Sequence, residues 1–202
     1  MTKVIPETKR GGSGSFYITH RTKEKDTVRD LMANELTYVP PGTYCIMRQV
    51  RDVGADPSWD EVWMSDTPME HNSNYDALQK AAGDVLVVGL GLGMLSLAMC
   101  HKKEVRSVTV LEIEPAVIEL VAPHVHHKKL RIILADGKQP PIQGRHFDLI
   151  YVDIWPTICS DNWPEMKELL ALYRRHRRTG GIVDGWMKDY VQREHNKLEG
   201  WY

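Results

Sequence analysis

Hydrophobic positions along this chain fall into short blocks separated by glycine, proline and polar turns. The most informative block, Val85 to Val88, is β-branched enough to predict a strand buried on both faces, as in a parallel sheet. It stops at Gly89, Gly91 and Gly93, and Met94-Leu95-Ser96-Leu97-Ala98-Met99 then predicts a helix. Downstream the pattern alternates. Ser107 to Leu111 reads as a strand, and Pro115 to Ala122 as a helix with proline in its favoured first turn. Strands follow at Leu130 to Leu134 and Phe147 to Val152. The spacing of Met166, Leu169, Leu170 and Tyr173 predicts a helix from Asn162 to about Arg178, ended by Gly180-Gly181, with a last short strand opening at Ile182-Val183. Such alternation predicts an α/β fold with a doubly wound parallel sheet over residues 73–202.

The N-terminal part has a different texture. Residues 1–15 are polar and include Gly11-Gly12-Ser13-Gly14-Ser15, a flexible lead-in. Residues 16–72 form an extension. Thr27 to Leu36 predicts a short helix, and Pro40-Pro41-Gly42 breaks the chain. Tyr44 to Val50 and Glu61 to Met64 predict a β-hairpin around the turn-rich Gly54-Ala55-Asp56-Pro57-Ser58. A helix from Ser73 to Gly83, with Tyr75, Leu78, Ala81 and Ala82 on its apolar stripe, leads into the central strand.

Composition narrows the class of protein. With 202 residues, 42% hydrophobic and 26% charged, the chain suits one globular domain plus an extension. A formal net charge of −1 provides no global field for nucleic acid or an anionic membrane. No apolar stretch reaches membrane-spanning length, and the N-terminus lacks the apolar core of a signal peptide. Three widely spaced cysteines, Cys45, Cys100 and Cys159, fit a reducing cytoplasm better than a disulfide framework.

The candidate chemistry lies at the predicted strand ends, where open parallel sheets bind ligands. Gly89, Gly91 and Gly93 let a ligand approach the backbone, although a glycine triplet alone is equally compatible with a tight turn. Glu112 closes the second strand, where a carboxylate can accept both hydroxyls of a ribose. Asp136, in Ala135-Asp136-Gly137, is placed to accept from an adenine amino group. Asp153 follows Phe147 to Val152 and could orient an amine and take its proton. Any one of these acids could be an ordinary loop acid or helix cap. Three in register with a glycine corner point to a nucleoside site. The Ser65 to Tyr75 segment is rich in ligand-binding groups, among them Asp66, Glu70 and Asn74. Trp155 offers either a flat face for a cation or a plain aromatic seal on the sheet end.

Residues 84–153 resemble the class I S-adenosylmethionine (SAM)-dependent methyltransferases, a Rossmann-like superfamily. Val110-Leu111-Glu112-Ile113-Glu114-Pro115 resembles the ribose-binding stretch of the spermidine synthases, which share the fold and bind decarboxylated SAM, and Ala135-Asp136-Gly137 resembles their adenine-binding stretch. Asp153 matches the first Asp of their post-strand motif, while Ile154 stands where the motif continues and the second Asp is missing. Tyr151-Val152-Asp153-Ile154-Trp155-Pro156 is also similar to the guanidinoacetate N-methyltransferases. Val62-Trp63-Met64-Ser65-Asp66-Thr67-Pro68-Met69 is similar to that family's acidic lid entry. The resemblance implies SAM, or decarboxylated SAM, bound by Gly89, Gly91, Gly93, Glu112, Ile113, Asp136, Gly137 and Asp153. It implies a small amine- or guanidine-like acceptor near Asp66, Glu70, Asn74 and Trp155, with Asp153 as the catalytic base. Aminopropyl transfer, SAM cleavage and non-catalytic nucleoside binding are the alternative readings.

Other signals add less. His124, His126 and His127 match no zinc spacing and read as a solvated helix end. Arg174-Arg175-His176-Arg177-Arg178 reads as a helix C-terminus complementing the dipole, with RNA contact as the minor alternative. Little follows Val183 besides a polar tail, so the usual sixth and seventh strands of this fold have no room. An open edge then predicts either cover by the N-terminal hairpin or a homo-oligomer that uses Trp186, Trp201 and Tyr202 as anchors.

Overall fold

The computed structural model describes residues 5–12, 14–27 and 38–200. The predicted Thr27 to Leu36 helix, from residue 28 on, and Trp201 and Tyr202 lie outside the described residues. Strands β1 (Phe16–Lys23), β2 (Gly42–Gln49) and β3 (Glu61–Ser65) form an antiparallel sheet in that order. Two short helices follow, α1 (Pro68–Ser73) and α2 (Tyr75–Lys80). The remainder is β4 (Gly83–Val88), α3 (Met94–His101), β5 (Val105–Glu112), α4 (Pro115–Val121), β6 (Leu130–Leu134), β7 (Phe147–Val152), α5 (Trp163–Arg174), β8 (Arg177–Gly185) and α6 (Lys188–Glu199).

The second sheet has the order β6-β5-β4-β7-β8, and every pair is parallel. From β4 the chain winds outward through β5 and β6, then returns to place β7 on the other side. The topological switch point is therefore between β4 and β7, the place where a Rossmann-like sheet opens a crevice at its carboxyl ends. β4 and β7 are central, and Val85, Leu86, Leu149 and Ile150 are almost wholly buried, as the unbroken apolar runs required.

Several predicted elements differ in instructive ways. Phe16–Lys23 is a strand that polar Thr19, His20 and Arg21 obscure. Its outer side is occupied by the lead-in, where the Thr8 amide donates to the Ile18 carbonyl and the His20 amide to Glu7 Oε1. The N-terminal strands keep to their own sheet and do not pair with β6 or β8. The expected Ser73 to Gly83 helix is the shorter α2, which a break at Asn74 separates from α1 upstream, and Tyr75, expected on the apolar stripe, is exposed. Asn74 uses its side-chain amide to donate to the Glu70 carbonyl at 3.2 Å, the kind of local bond with which asparagine competes with a helix.

Helix α5 stops at Arg174 rather than near Arg178, and Gly180-Gly181 lies inside β8 instead of ending a helix. A side chain at Gly181 would approach the Phe147 and Asp148 carbonyls to 2.9 Å, so glycine is needed where β8 shifts register against β7. Arg178 thereby reaches the amino ends of the strands, where Nη1 is 2.6 Å from Asp148 and Nη2 is 3.1 Å from Asp84. Arg178 of the basic run is thus structural. The expected polar tail contains helix α6, which buries only Val191 and so leaves almost no apolar stripe in the sequence. Trp186 is buried, and its indole N–H donates to Ser73 Oγ at 2.9 Å, so it holds the chain's own α1.

One buried contact ties the helical layer to the crevice. Tyr173 of α5 is fully buried and its hydroxyl donates to the Gly137 carbonyl at 2.8 Å. Tyr173→Phe is expected to lower stability by about 1–3 kcal/mol, because the carbonyl loses its donor in a largely buried place. Urea unfolding with an unchanged midpoint would show that water replaces the hydroxyl.

Candidate functional site

The crevice at the carboxyl ends of β4 and β7 holds two chambers that share a wall. Met64, Glu70, Gly89, Gly91 and Asp153 line both of them. One chamber, of about 220 Å³, runs over β5 and the loop after β6, and is bounded by Glu112, Ile113, Asp136, Gly137 and Trp155. The other, of about 310 Å³, lies between the α1–α2 segment and α3, with Asn74, Leu78, Met94 and Leu95 among its walls.

The glycine corner makes the approach between these elements possible. Gly89 has φ +103°, and a Cβ there would lie 2.0 Å from the Asp153 carbonyl. The Gly89 amide donates to the Leu111 carbonyl and the Asp153 amide to the Val88 carbonyl, each at 2.8 Å. Backbone from β4, β5 and the end of β7 is therefore knitted together where the chambers meet. Gly91 carries Met64 of β3 against it, and a Cβ there would strike the Met64 methyl at 2.3 Å. This contact brings the N-terminal sheet to the site.

Glu112, Asp136 and Asp153 all line the chamber over β5. Glu112 is buried; its Oε2 accepts from the Leu90 amide and its Oε1 from the Glu114 amide, both at 2.9 Å. Two amides fix the carboxylate while each oxygen keeps a further lone pair for a diol. Asp136 Oδ1 accepts from the Lys138 amide at 2.8 Å, which shapes the Asp136-Gly137 turn. Ile113 leaves its side chain 58% exposed beside Glu112, an apolar face suited to a flat base. Trp155 is buried, and its indole N–H donates to Glu165 Oε2 at 2.8 Å; Glu165 in turn pairs with Lys138 at 2.6 Å. Trp155 is thus a fixed wall of this chamber and does not line the one beside α3.

Asp66 is not brought to the site. Its Oδ1 accepts from the Cys45 amide at 2.7 Å, closing the end of the N-terminal sheet, and it lines neither chamber. Glu70 and Asn74, by contrast, stand beside Asp153. Met64, His71, Leu78 and Trp186 also line the crevice; Met64 lies in the lid-like stretch and His71 in the polar Ser65 to Tyr75 segment, while Leu78 reads as a helix stripe and Trp186 as an interface anchor. Among the described residues no group of three or more His, Cys, Asp or Glu side chains could hold a metal ion, and no helix is long and apolar enough to cross a membrane.

The electrostatics of the shared wall are unusual. Burial pushes the Asp153 carboxyl up to about 7; the nearby Glu70 adds to the rise and the Asn74 amide opposes it. Burial also pushes Glu70 up to about 7. Among the described residues no Lys or Arg pairs with either one. Both folded-state values lie above the unfolded ones, about 3.9 for Asp and 4.3 for Glu. Their contribution to stability is therefore full below about pH 4 and is lost as pH rises through about 7. Asp60 and Asp84, held low by hydrogen bonds from Arg10 and Arg106, act in the opposite sense at lower pH. Between pH 5 and 8 the melting temperature of Glu70→Gln is expected to fall less than that of the wild type. Parallel melting curves would refute the buried titration.

No protein-family model matches this chain, and no curated protein sequence does. Solved structures give distant likenesses. N-methyltransferase NodS from Bradyrhizobium japonicum is 17% identical, with a TM-score of 0.47 over 58% of this chain and 67% of its own. The CcbJ methyltransferase from Streptomyces caelestis is 15% identical, with a TM-score of 0.45 over 56% of this chain. An S-adenosylmethionine-dependent methyltransferase from Clostridium acetobutylicum is 16% identical, with a TM-score of 0.40 over 55% of this chain. This chain spans 46% of the Streptomyces protein and 45% of the Clostridium one.

Proposed function

We propose that this protein is a SAM-dependent methyltransferase acting on a small amine- or guanidine-like acceptor. One observation carries the reading: Glu112, Ile113 and Asp136 line one chamber, and Asp153 and Glu70 stand in the wall that it shares with a second. The residues present fit the cofactor. Glu112, held by two amides, suits the ribose diol, and Asp136 and Ile113 suit the adenine.

SAM, when bound, supplies an electrophilic methyl group whose carbon–sulfur bonding pair leaves with the sulfur. The protein's own part is to bring a nitrogen lone pair into line and remove the proton that covers it. Asp153 is suited to both tasks. It is fixed through its backbone to β4, and at neutral pH it is poised between its two protonation states, where a general base is most effective. Glu70 adds a second acceptor beside it, and Asn74 orients the Asp153 carboxylate.

Mass spectrometry of the purified protein incubated with SAM and a panel of amines and guanidines tests this. S-adenosylhomocysteine together with a methylated acceptor is the expected result. Methylthioadenosine would instead indicate cleavage or, with decarboxylated SAM and an amine, the aminopropyl transfer of the spermidine synthases. Bound but unchanged SAM would reduce the protein to a nucleoside-binding module.

A further inference from the structure

We propose that the acceptor is a primary amine carried on an apolar alkyl or aryl body, received ammonium-first by Glu70, Asp153 and Asn74 in the chamber beside α3. This rests on the methyltransferase reading and adds the acceptor's class to it.

Asn74 carries the first part of the argument. It is 8% exposed, and its Oδ1 is buried with no hydrogen-bond partner. The amide cannot simply be turned over, because its N–H₂ side donates to the Glu70 carbonyl and lies against the Asp153 carboxylate. A buried acceptor left unpaired is costly and calls for a donor. Asn74 belongs to the same chamber wall as the two carboxylates, and an ammonium seated among them would supply the N–H donor that this oxygen lacks.

Charge limits the acceptor further. Burial pushes both carboxyls up, and a cation placed between them relieves that cost by favouring their charged forms. The remaining wall is apolar, with Leu78, Met94, Leu95 and Leu97, and the other ionisable groups lining the chamber are His71 and His101, which supply no anion. A second ammonium, as in a diamine, would enter this region without a counter-charge, and burying an unpaired charge is strongly unfavourable. Methylenes placed there should each raise affinity by roughly fourfold.

Calorimetry at pH 7.5 with saturating S-adenosylhomocysteine tests the proposal, using hexylamine, butylamine, 1,6-diaminohexane and 1-hexanol as probes. Hexylamine is expected to bind about tenfold or more tightly than each of the other three. Asn74→Ala should weaken hexylamine by about tenfold and leave S-adenosylhomocysteine unchanged; Asn74→Asp, which keeps an acceptor there, covers the case in which the alanine variant fails to fold. A diamine that binds as well as hexylamine would overturn the apolar body while leaving the amine reading standing. Hexanol equal to hexylamine would overturn the amine reading itself. Competition between hexylamine and S-adenosylhomocysteine would assign the ammonium pocket to the cofactor's own amino group and overturn the proposal.

Discussion

Asp153→Asn is expected to lower methyl transfer by about 10²–10⁴-fold, the range a positioned general base contributes, with little change in SAM affinity. The substitution keeps the size and the backbone bond of the Asp153 amide to Val88, so the crevice should hold its shape. An asparagine oxygen can still accept from the Asn74 amide, yet it cannot take a proton from an acceptor nitrogen. Because the carboxyl is pushed up to about 7, wild-type activity should climb as pH rises through that value and level off above it. The rise exists because only the ionised form can accept a proton. Values of kcat/KM across pH 5.5–9, which follow the ionisations of the free enzyme, would check both statements. An Asn variant with wild-type rate and the same pH profile would leave Asp153 as a structural residue and remove the base from the mechanism.

Glu112→Ala is the second large effect, and it falls on binding. The carboxylate is buried and accepts from the Leu90 and Glu114 amides, so its loss leaves two N–H groups without partners beside the glycine corner. Hydrogen bonds to a charged group contribute about 1.5–3 kcal/mol, and SAM should bind roughly 10–150-fold more weakly. Glu112→Gln is expected to fall between wild type and alanine. Its carboxamide keeps one acceptor oxygen but turns an N–H₂ toward one of the two amides. Calorimetry with S-adenosylhomocysteine distinguishes the cases. Unchanged affinity in the alanine variant would remove Glu112 from the ligand site.

The sequence by itself determined the parallel sheet and the acids at its carboxyl ends. Val85 to Val88 and Phe147 to Val152 are apolar without interruption because both faces of a central strand are covered, and that requirement is visible in one dimension. Gly89 and Glu112 were legible for a similar reason, since a tight corner and a strand-end carboxylate are local features set by neighbours in the chain.

Only the tertiary structure decided what stands opposite them. Asp66 and Glu70 look alike in sequence, yet one accepts from the Cys45 amide inside the N-terminal sheet and the other shares a wall with Asp153. Arg178 looked like a helix-end cation until the β8 register placed it between Asp84 and Asp148. Trp186 looked like a surface anchor until the end of β8 carried it to Ser73. Asn74 was legible as a ligand-binding candidate in the Ser65 to Tyr75 segment, but its unpaired oxygen became apparent only where α1, α2 and the end of β7 meet. Burial, counter-charge and hydrogen-bond satisfaction belong to pairs of groups distant along the chain, and only their packing creates them.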